Sequence, residues 1–380
     1  MSSKDPPSSG DRTEPKSETT VGGADRIGLA SEATLHDSDR IGLASEAALH
    51  GADRTGVTSE ARSKVGERSL IGELIGRLEI RMLGLALLLG LVLTVLSPHF
   101  LTSNNLLNVL DQSVVVGIVA IGMTFVILIG GIDLSVGSIA GCTGVLLGRG
   151  LEHLPIPFAI FLALLAGCAI GLFSGILIAR FGLPAFVVTL GVMAIGRSLA
   201  YIFSGATAIA DLPESFSNIV YTNVFGIPAH VVTLLILYAL AWGYLNFTKG
   251  GRTIYAIGSN REAARTAGLN VLAFSILPYV ISGGLSAAAI TFASAQVMSI
   301  DPVAGTGLEL DAIAAVVIGG ASLYGGRGSI IGTLIGVLIM VMIRNGLNLL
   351  NVSPFWQGSA IGAVIITAVL IERLLSRRTT

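Results

Sequence analysis

The chain has 380 residues, 52% of them hydrophobic, with 48 glycines and a mean hydropathy of +0.80. Charged residues make up 12%, against about 25% in an ordinary soluble domain, and 25 of them fall within residues 1–81. These numbers exclude an ordinary soluble globular domain, and a net charge of −1 offers no basic surface for nucleic acid.

The segregation of charge divides the chain into a polar tail, residues 1–79, and an all-α integral membrane domain, residues 80–380. The tail is rich in Ser, Gly, Asp and Glu and carries a repeat: ADRIGLASEATLH from Ala24, SDRIGLASEAALH from Ser38 and ADRTGVTSEAR from Ala52. Asp25, Asp39 and Asp53 fix its period at 14. This composition predicts a disordered cytoplasmic tail extended by local duplication. The first long apolar run begins near Ile80, so no signal peptide is expected.

The apolar blocks then predict about ten transmembrane helices: Ile80–Leu96, Leu106–Ile129, Ser135–Leu147, Ile156–Ile178, Pro184–Phe203, Ile227–Leu245, Val271–Val297, Leu310–Leu323, Ser329–Leu349 and Trp356–Leu374. Ser135–Leu147 and Leu310–Leu323 are too short to cross as straight helices. Such Gly-flanked segments suggest broken helices shielded by protein. With the N-terminus inside, the inner loops and ends carry Arg180, Lys249, Arg252, Arg261, Arg265, Arg327, Arg373, Arg377 and Arg378. The outer loops carry Glu152, Asp211, Glu214, Asp301 and Glu309 against a single Arg149. This bias predicts cytoplasmic termini.

Glycine marks the packing. Gly167, Gly171 and Gly175 are spaced by four, as are Gly328, Gly332 and Gly336, and each set predicts a close helix–helix seam. An internal echo pairs Ile129-Gly130-Gly131 with Ile318-Gly319-Gly320. It reads either as two related halves with a path at their interface or as a chance likeness of two Gly-rich helix breaks.

Enzyme signatures are missing. None of the four lysines follows a glycine, which excludes a phosphate-cradling Walker loop. No His/Cys cluster has metal spacing, and Cys142 and Cys168 fall in apolar spans as small core residues. Intramembrane charge is limited to Asp111, Asp133, Arg197, Asp311 and Arg344, too few for a proton relay. Asp133 and Ser135 stand at a helix break, where Asp133 either caps the next helix, lines a path or orders exposed backbone N–H groups. Gly319 and Gly320 mark the other break. Asp311 reads as a cap or interfacial residue, and Asp111 and Arg344 as near-interface residues, the latter snorkelling.

Between two apolar blocks lies a polar island, Gly250–Asn270, GGRTIYAIGSNREAARTAGLN. Within it NREAAR predicts a short amphipathic helix, with Asn260 as cap and Gly268 as stop. It reads as a docking surface for a separate motor protein, or more blandly as a basic inner loop.

Four stretches, GIDLSVGS (131–138), GRTIYAIGSNREAARTAGLNV (251–271), AGTGLELDAIAAVVIGGASLYGGRG (304–328) and NGLNLLNVSPF (345–355), resemble the ribose-type sugar permeases of bacterial ABC importers. The resemblance runs from about residue 80 to the C-terminus. It implies a non-enzymatic, multi-pass subunit of the bacterial inner membrane that works as a homodimer or paired with a second permease subunit. A cytoplasmic ABC ATPase would bind ATP and drive it, and an extracytoplasmic sugar-binding protein would deliver a monosaccharide. No cofactor is implied in this chain. Gly258, Asn260, Arg261, Glu262, Ala263, Ala264 and Gly268 match the family's coupling segment. Of these, Glu262, Ala263, Ala264 and Gly268 would sit against the ATPase. Leu308 departs from the family, where Tyr tends to follow AGTG, and Asn351 departs where Gly is usual. A sugar handed over by a binding protein needs only a weak site, so the path is expected to lack a strong polar pocket.

Overall fold

A computed structural model describes residues 78–224 and 226–376. The expected tail with its repeats, up to residue 77, and the C-terminal Arg377 and Arg378 lie outside the described residues. The helices are α1 (Leu78–Leu96), α2 (Ser103–Leu128), α3 (Val136–Leu151), α4 (Ile156–Ala179), α5 (Ala185–Ser204), α6 (Asn218–Tyr221), α7 (Ala229–Phe247), α8 (Lys249–Ser259), α9 (Arg261–Thr266), α10 (Val271–Val297), α11 (Leu308–Ile318), α12 (Ile330–Leu349) and α13 (Pro354–Ser376). A short hairpin, β1 (Asn223–Val224) with β2 (Ile227–Pro228), precedes α7.

Seven of these helices, α1, α2, α4, α5, α7, α10 and α12, are long and apolar enough to cross a membrane, and the chain is an all-α, multi-pass membrane protein. The other three expected spans are also helical. α13 has 23 residues, but α3 has 16 and α11 only 11. At about 1.5 Å per residue α3 and α11 fall short of a ~30 Å hydrocarbon layer. α11 ends before the predicted Leu323 because Gly319 and Gly320 stop it.

Helix α2 is the centre of the bundle. From Val114 on its sequence is apolar all round, as a helix segment with no solvent face requires, and every residue from Ser113 to Leu128 except Val115 is buried. Around it pack α10, α12, α11 and α7, while α3 is held by α5, α10 and α4. The predicted glycine seams bring backbones together. A Cβ at Gly167, Gly171 or Gly175 of α4 would meet the main chain of Gly283, Tyr279 or Ile276 of α10. On α12, Gly332 and Gly336 lie against the main chain of Gly319 and Ala315 of α11. Gly328 is not part of that helical face, because α12 begins only after its N-cap Ser329, whose hydroxyl accepts from the Gly332 N–H at 2.9 Å.

The internal echo has a structural counterpart. After α2, the Gly131 N–H bonds the Val126 carbonyl and the Gly130 N–H bonds the Ile127 carbonyl. After α11, Ala321 bonds Val316 and Gly320 bonds Val317 in the same register. Both are Schellman stops, and Gly130 and Gly320 occupy their left-handed position with φ of 77° and 88°. The two helices therefore stop by one rule, as either reading of the echo allows.

Candidate functional site

The two breaks and the polar island meet at one end of the bundle. Helix α8 is amphipathic and buries Gly250, Thr253, Ile254 and Ile257 at helical spacing. Its last turn lies against the end of α2. A Cβ at Gly258 would fall on the Leu128 carbonyl oxygen and crowd the Gly326 nitrogen. That nitrogen donates to the same Leu128 carbonyl at 2.9 Å. The turn Tyr324–Gly326 thus sits between the α2 stop and the end of α8, with Gly130 close to the Tyr324 carbonyl and Gly325 close to the Gly258 carbonyl. Tyr255 of α8 donates its hydroxyl to the Gly328 carbonyl at 2.9 Å. Burial pushes this phenol above its ordinary pKa, which keeps it protonated and donating.

Beyond this junction α9 turns outward. Asn260 is its N-cap, its side chain accepting from the Ala263 N–H at 2.9 Å, and Gly268 ends it at φ 75°. Asn260, Arg261, Glu262, Ala263 and Gly268 are exposed together with Arg265. Ala264 is buried and Gly258 faces inward, which corrects the expectation that Ala264 sits on an outer docking face. The island therefore has two faces: an outward one of charged side chains and an inward one of backbone-to-backbone contacts with both breaks.

Asp133 lies in the first break and is buried with 1% exposure. One carboxylate oxygen accepts from the Ser135 N–H at 3.0 Å and from the Ser135 hydroxyl; the other accepts from the Ser282 hydroxyl of α10 at 2.8 Å. The N-cap position of α3 is Ser135, which is in the αR region and makes no side-chain cap bond; Asp133, two residues earlier, supplies the side-chain acceptor for an N–H at this end of α3, as the capping reading expects. It orders the backbone of the break and ties it to α10. The Tyr279 hydroxyl stands beside Gly131, buried and without a hydrogen-bond partner. Ser275, Tyr279, Ser282 and Ser286 form a buried polar stripe on α10. Their i, i+4, i+7, i+11 spacing is visible in the sequence and was the signal sequence reasoning passed over.

The other candidate intramembrane charges each find a polar partner. Asp311 is buried in the first turn of α11, and one terminal nitrogen of Arg344 on α12 reaches both its oxygens, at 2.8 and 2.7 Å. This corrects the capping reading of Asp311, whose carboxylate serves a guanidinium and not a backbone N–H. Asp111 of α2 meets His230 of α7 at 2.7 Å. Arg197 of α5 donates to the Pro302 and Ala304 carbonyls at 2.9 and 3.1 Å and so fastens the loop before α11. Asn105 and Asn345 exchange two buried amide bonds of 3.0 and 2.8 Å between α2 and α12. Asn351, the second departure, stands at φ 56° in a Schellman stop after α12. Asparagine tolerates this position best after glycine. Among the described residues no His/Cys/Asp/Glu group could hold a metal ion.

Comparison with known proteins fits this architecture. Residues 105–369 match the family described as branched-chain amino acid transport system / permease component. The ribose import permease protein RbsC of Haemophilus influenzae is 40% identical over 76% of this chain and 90% of its own length. The ribose import permease RbsC of Bacillus subtilis is 41% identical over 77% and 91%. The D-allose transport system permease protein AlsC of Escherichia coli is 37% identical over 74% and 87%. No solved structure matches. The long family match, the like-sized relatives and the two-break membrane architecture place the chain in the branched-chain amino acid transport system / permease component family, among the ribose-type ABC import permeases.

Proposed function

We propose that this chain is the membrane subunit of an importer that carries a monosaccharide, ribose or a similar sugar, across the bacterial inner membrane with both termini in the cytoplasm. A separate cytoplasmic ABC ATPase drives it, ATP is bound there and not here, an extracytoplasmic binding protein delivers the sugar, and two permease subunits form a homodimer. The observation that carries this reading is the two-faced island. Its outward face is charged, with Arg261, Glu262 and Arg265 exposed, and its inward face is locked to both helix breaks through Leu128, Gly258 and Gly326. A force applied to α9 is delivered to the segments that can gate a path. ATP shifts the gate through its differential binding to the two states of the complex. The sugar class is supported by relatives named for ribose and allose.

The test is purification of the tagged chain from its native membrane, with the stoichiometry of what co-elutes. The expected result is an equimolar ATPase that is lost on charge reversal at Glu262 and Arg265. Uptake of sugar by the lone chain in ATP-free vesicles would overturn the reading in favour of an autonomous transporter.

A further inference from the structure

We infer that the membrane domain has its own subsite for a neutral polyhydroxylated ligand, in the half of the bundle away from the coupling segment. A cavity of about 190 Å³ opens between α2, α10, α11 and α12, with Gln112, Gln296, Asp311 and Arg344 as its polar wall and Leu308 and Met340 among its apolar lining. This is below the ~300–1,000 Å³ of pockets for drug-sized ligands, a scale that suits one small ring.

The chemistry of the wall points to hydroxyl groups. Asp311 and Arg344 neutralise one another at 2.7 Å, so the cavity offers no net charge to an ion. Only one terminal nitrogen of Arg344 is used in that pair, which leaves its Nε and second terminal nitrogen as donors at the wall. The carboxylate keeps accepting lone pairs. Neither Gln112 nor Gln296 uses its side-chain amide in a hydrogen bond with another described residue; the Gln296 main-chain carbonyl is taken by the Tyr221 hydroxyl at 3.0 Å. Each amide places a donor and an acceptor side by side, and adjacent sugar hydroxyls do the same. Leu308 and Met340 supply the apolar surface against which ring C–H groups lie. Gln112 shares a face of α2 with Val116, and Arg344 shares a face of α12 with Met340, one helical turn apart. The polar groups are thus set by helix geometry and not by a loop.

This subsite rests on the sugar-import reading, and the experiment separates the two. D-Ribose is the probe. Its binding to the purified chain in detergent is read by saturation-transfer NMR, and its uptake by the assembled importer in proteoliposomes. The variants are the double Gln112→Leu/Gln296→Leu and, separately, Leu308→Phe, which narrows the cavity without touching a polar atom. The expected result is a ribose signal for the unaltered chain that is lost in both variants, with uptake reduced at least tenfold. Variants that bind and transport ribose as the unaltered chain does would overturn the subsite and leave the sugar-import reading standing. An unaltered importer that takes up neither D-ribose nor D-allose would overturn both. Should the double variant fail to assemble, Leu308→Phe decides alone.

Discussion

Replacing Gly258 with alanine tests the coupling junction most directly. The added methyl would fall on the Leu128 carbonyl oxygen and crowd the Gly326 nitrogen, both main-chain atoms, so no side chain can swing aside to make room. Overpacking of this kind costs about 1–3 kcal/mol. If the Gly326 N–H is pushed off its 2.9 Å bond to Leu128, the unpaired group costs about 1–3 kcal/mol more. The helix-propensity gain of alanine over glycine returns about 0.5–1 kcal/mol. The net penalty is roughly 1–5 kcal/mol, and it falls on the contact between α8, the α2 stop and the Tyr324–Gly326 turn. Each ~1.4 kcal/mol placed on one state of a two-state element moves its population tenfold.

Two measurements follow. Thermal unfolding in detergent should show Gly258→Ala melting below the unaltered chain. In the reconstituted importer, sugar moved per ATP hydrolysed should fall several-fold or more, while the ATPase still co-elutes, because the outward face of α9 is untouched. Gly191→Ala is the matched control, since nothing lies within 4 Å of a Cβ there. A Gly258→Ala chain that melts and couples like Gly191→Ala would refute the argument that force passes through this backbone contact.

Three further substitutions are expected to sort by local geometry. Gly171→Ala drives a methyl into the Tyr279 carbonyl across the α4–α10 seam and should lower the melting temperature, by ~1–3 kcal/mol of overpacking. Asp133→Ala leaves the Ser135 N–H and the Ser282 hydroxyl without acceptors, at ~1–3 kcal/mol each, whereas Asp133→Asn keeps an acceptor for Ser135 and should cost under about 1 kcal/mol. The difference in thermal unfolding between the two variants measures it. Asn351→Ala puts an alanine at φ 56° and should destabilise by about 1–2 kcal/mol, while Asn351→Gly should match or exceed the unaltered chain in the same melt.

Much of the fold was legible because the relevant physics is local. Apolar run length places the helices, and glycine pairs place the breaks. Asn260 and Gly268 delimit α9 because capping and left-handed stops depend on one or two residues. Glycines at every fourth position announce seams at 167, 171 and 175, since only a missing Cβ lets backbones touch. The partners across those seams were not legible, because nothing in Gly171 names Tyr279. The same limit explains the misreading of Asp311. Asp311 and Arg344 lie 33 positions apart, and each alone looks like an end-of-helix residue. Only their meeting shows a buried carboxylate held by a partly exposed guanidinium. Gly258 looked like part of a docking motif, yet it points the other way, because periodicity gives a helix its faces without saying what lies behind each.

The inward junction explains why its role is hard to read from side chains. Its contacts are main-chain carbonyls and N–H groups at Leu128, Gly258, Gly325 and Gly326. Such a contact has no side-chain chemistry to recognise; its signature is the absence of a Cβ. It is also stiff, because backbone held by helix hydrogen bonds on one side and a Schellman stop on the other has little room to yield. A side-chain contact would absorb a small displacement of α9 by rotamer changes. On the proposed reading a backbone contact would pass it to the α2 stop, and from there through Asp133 and Ser282, which are hydrogen-bonded, to α10. The same design would make the junction tolerant of exchanges on the outer face of α9 and intolerant of a single methyl on its inner one. Outer-face charge would then set which ATPase binds, while the inner glycines set whether its motion arrives.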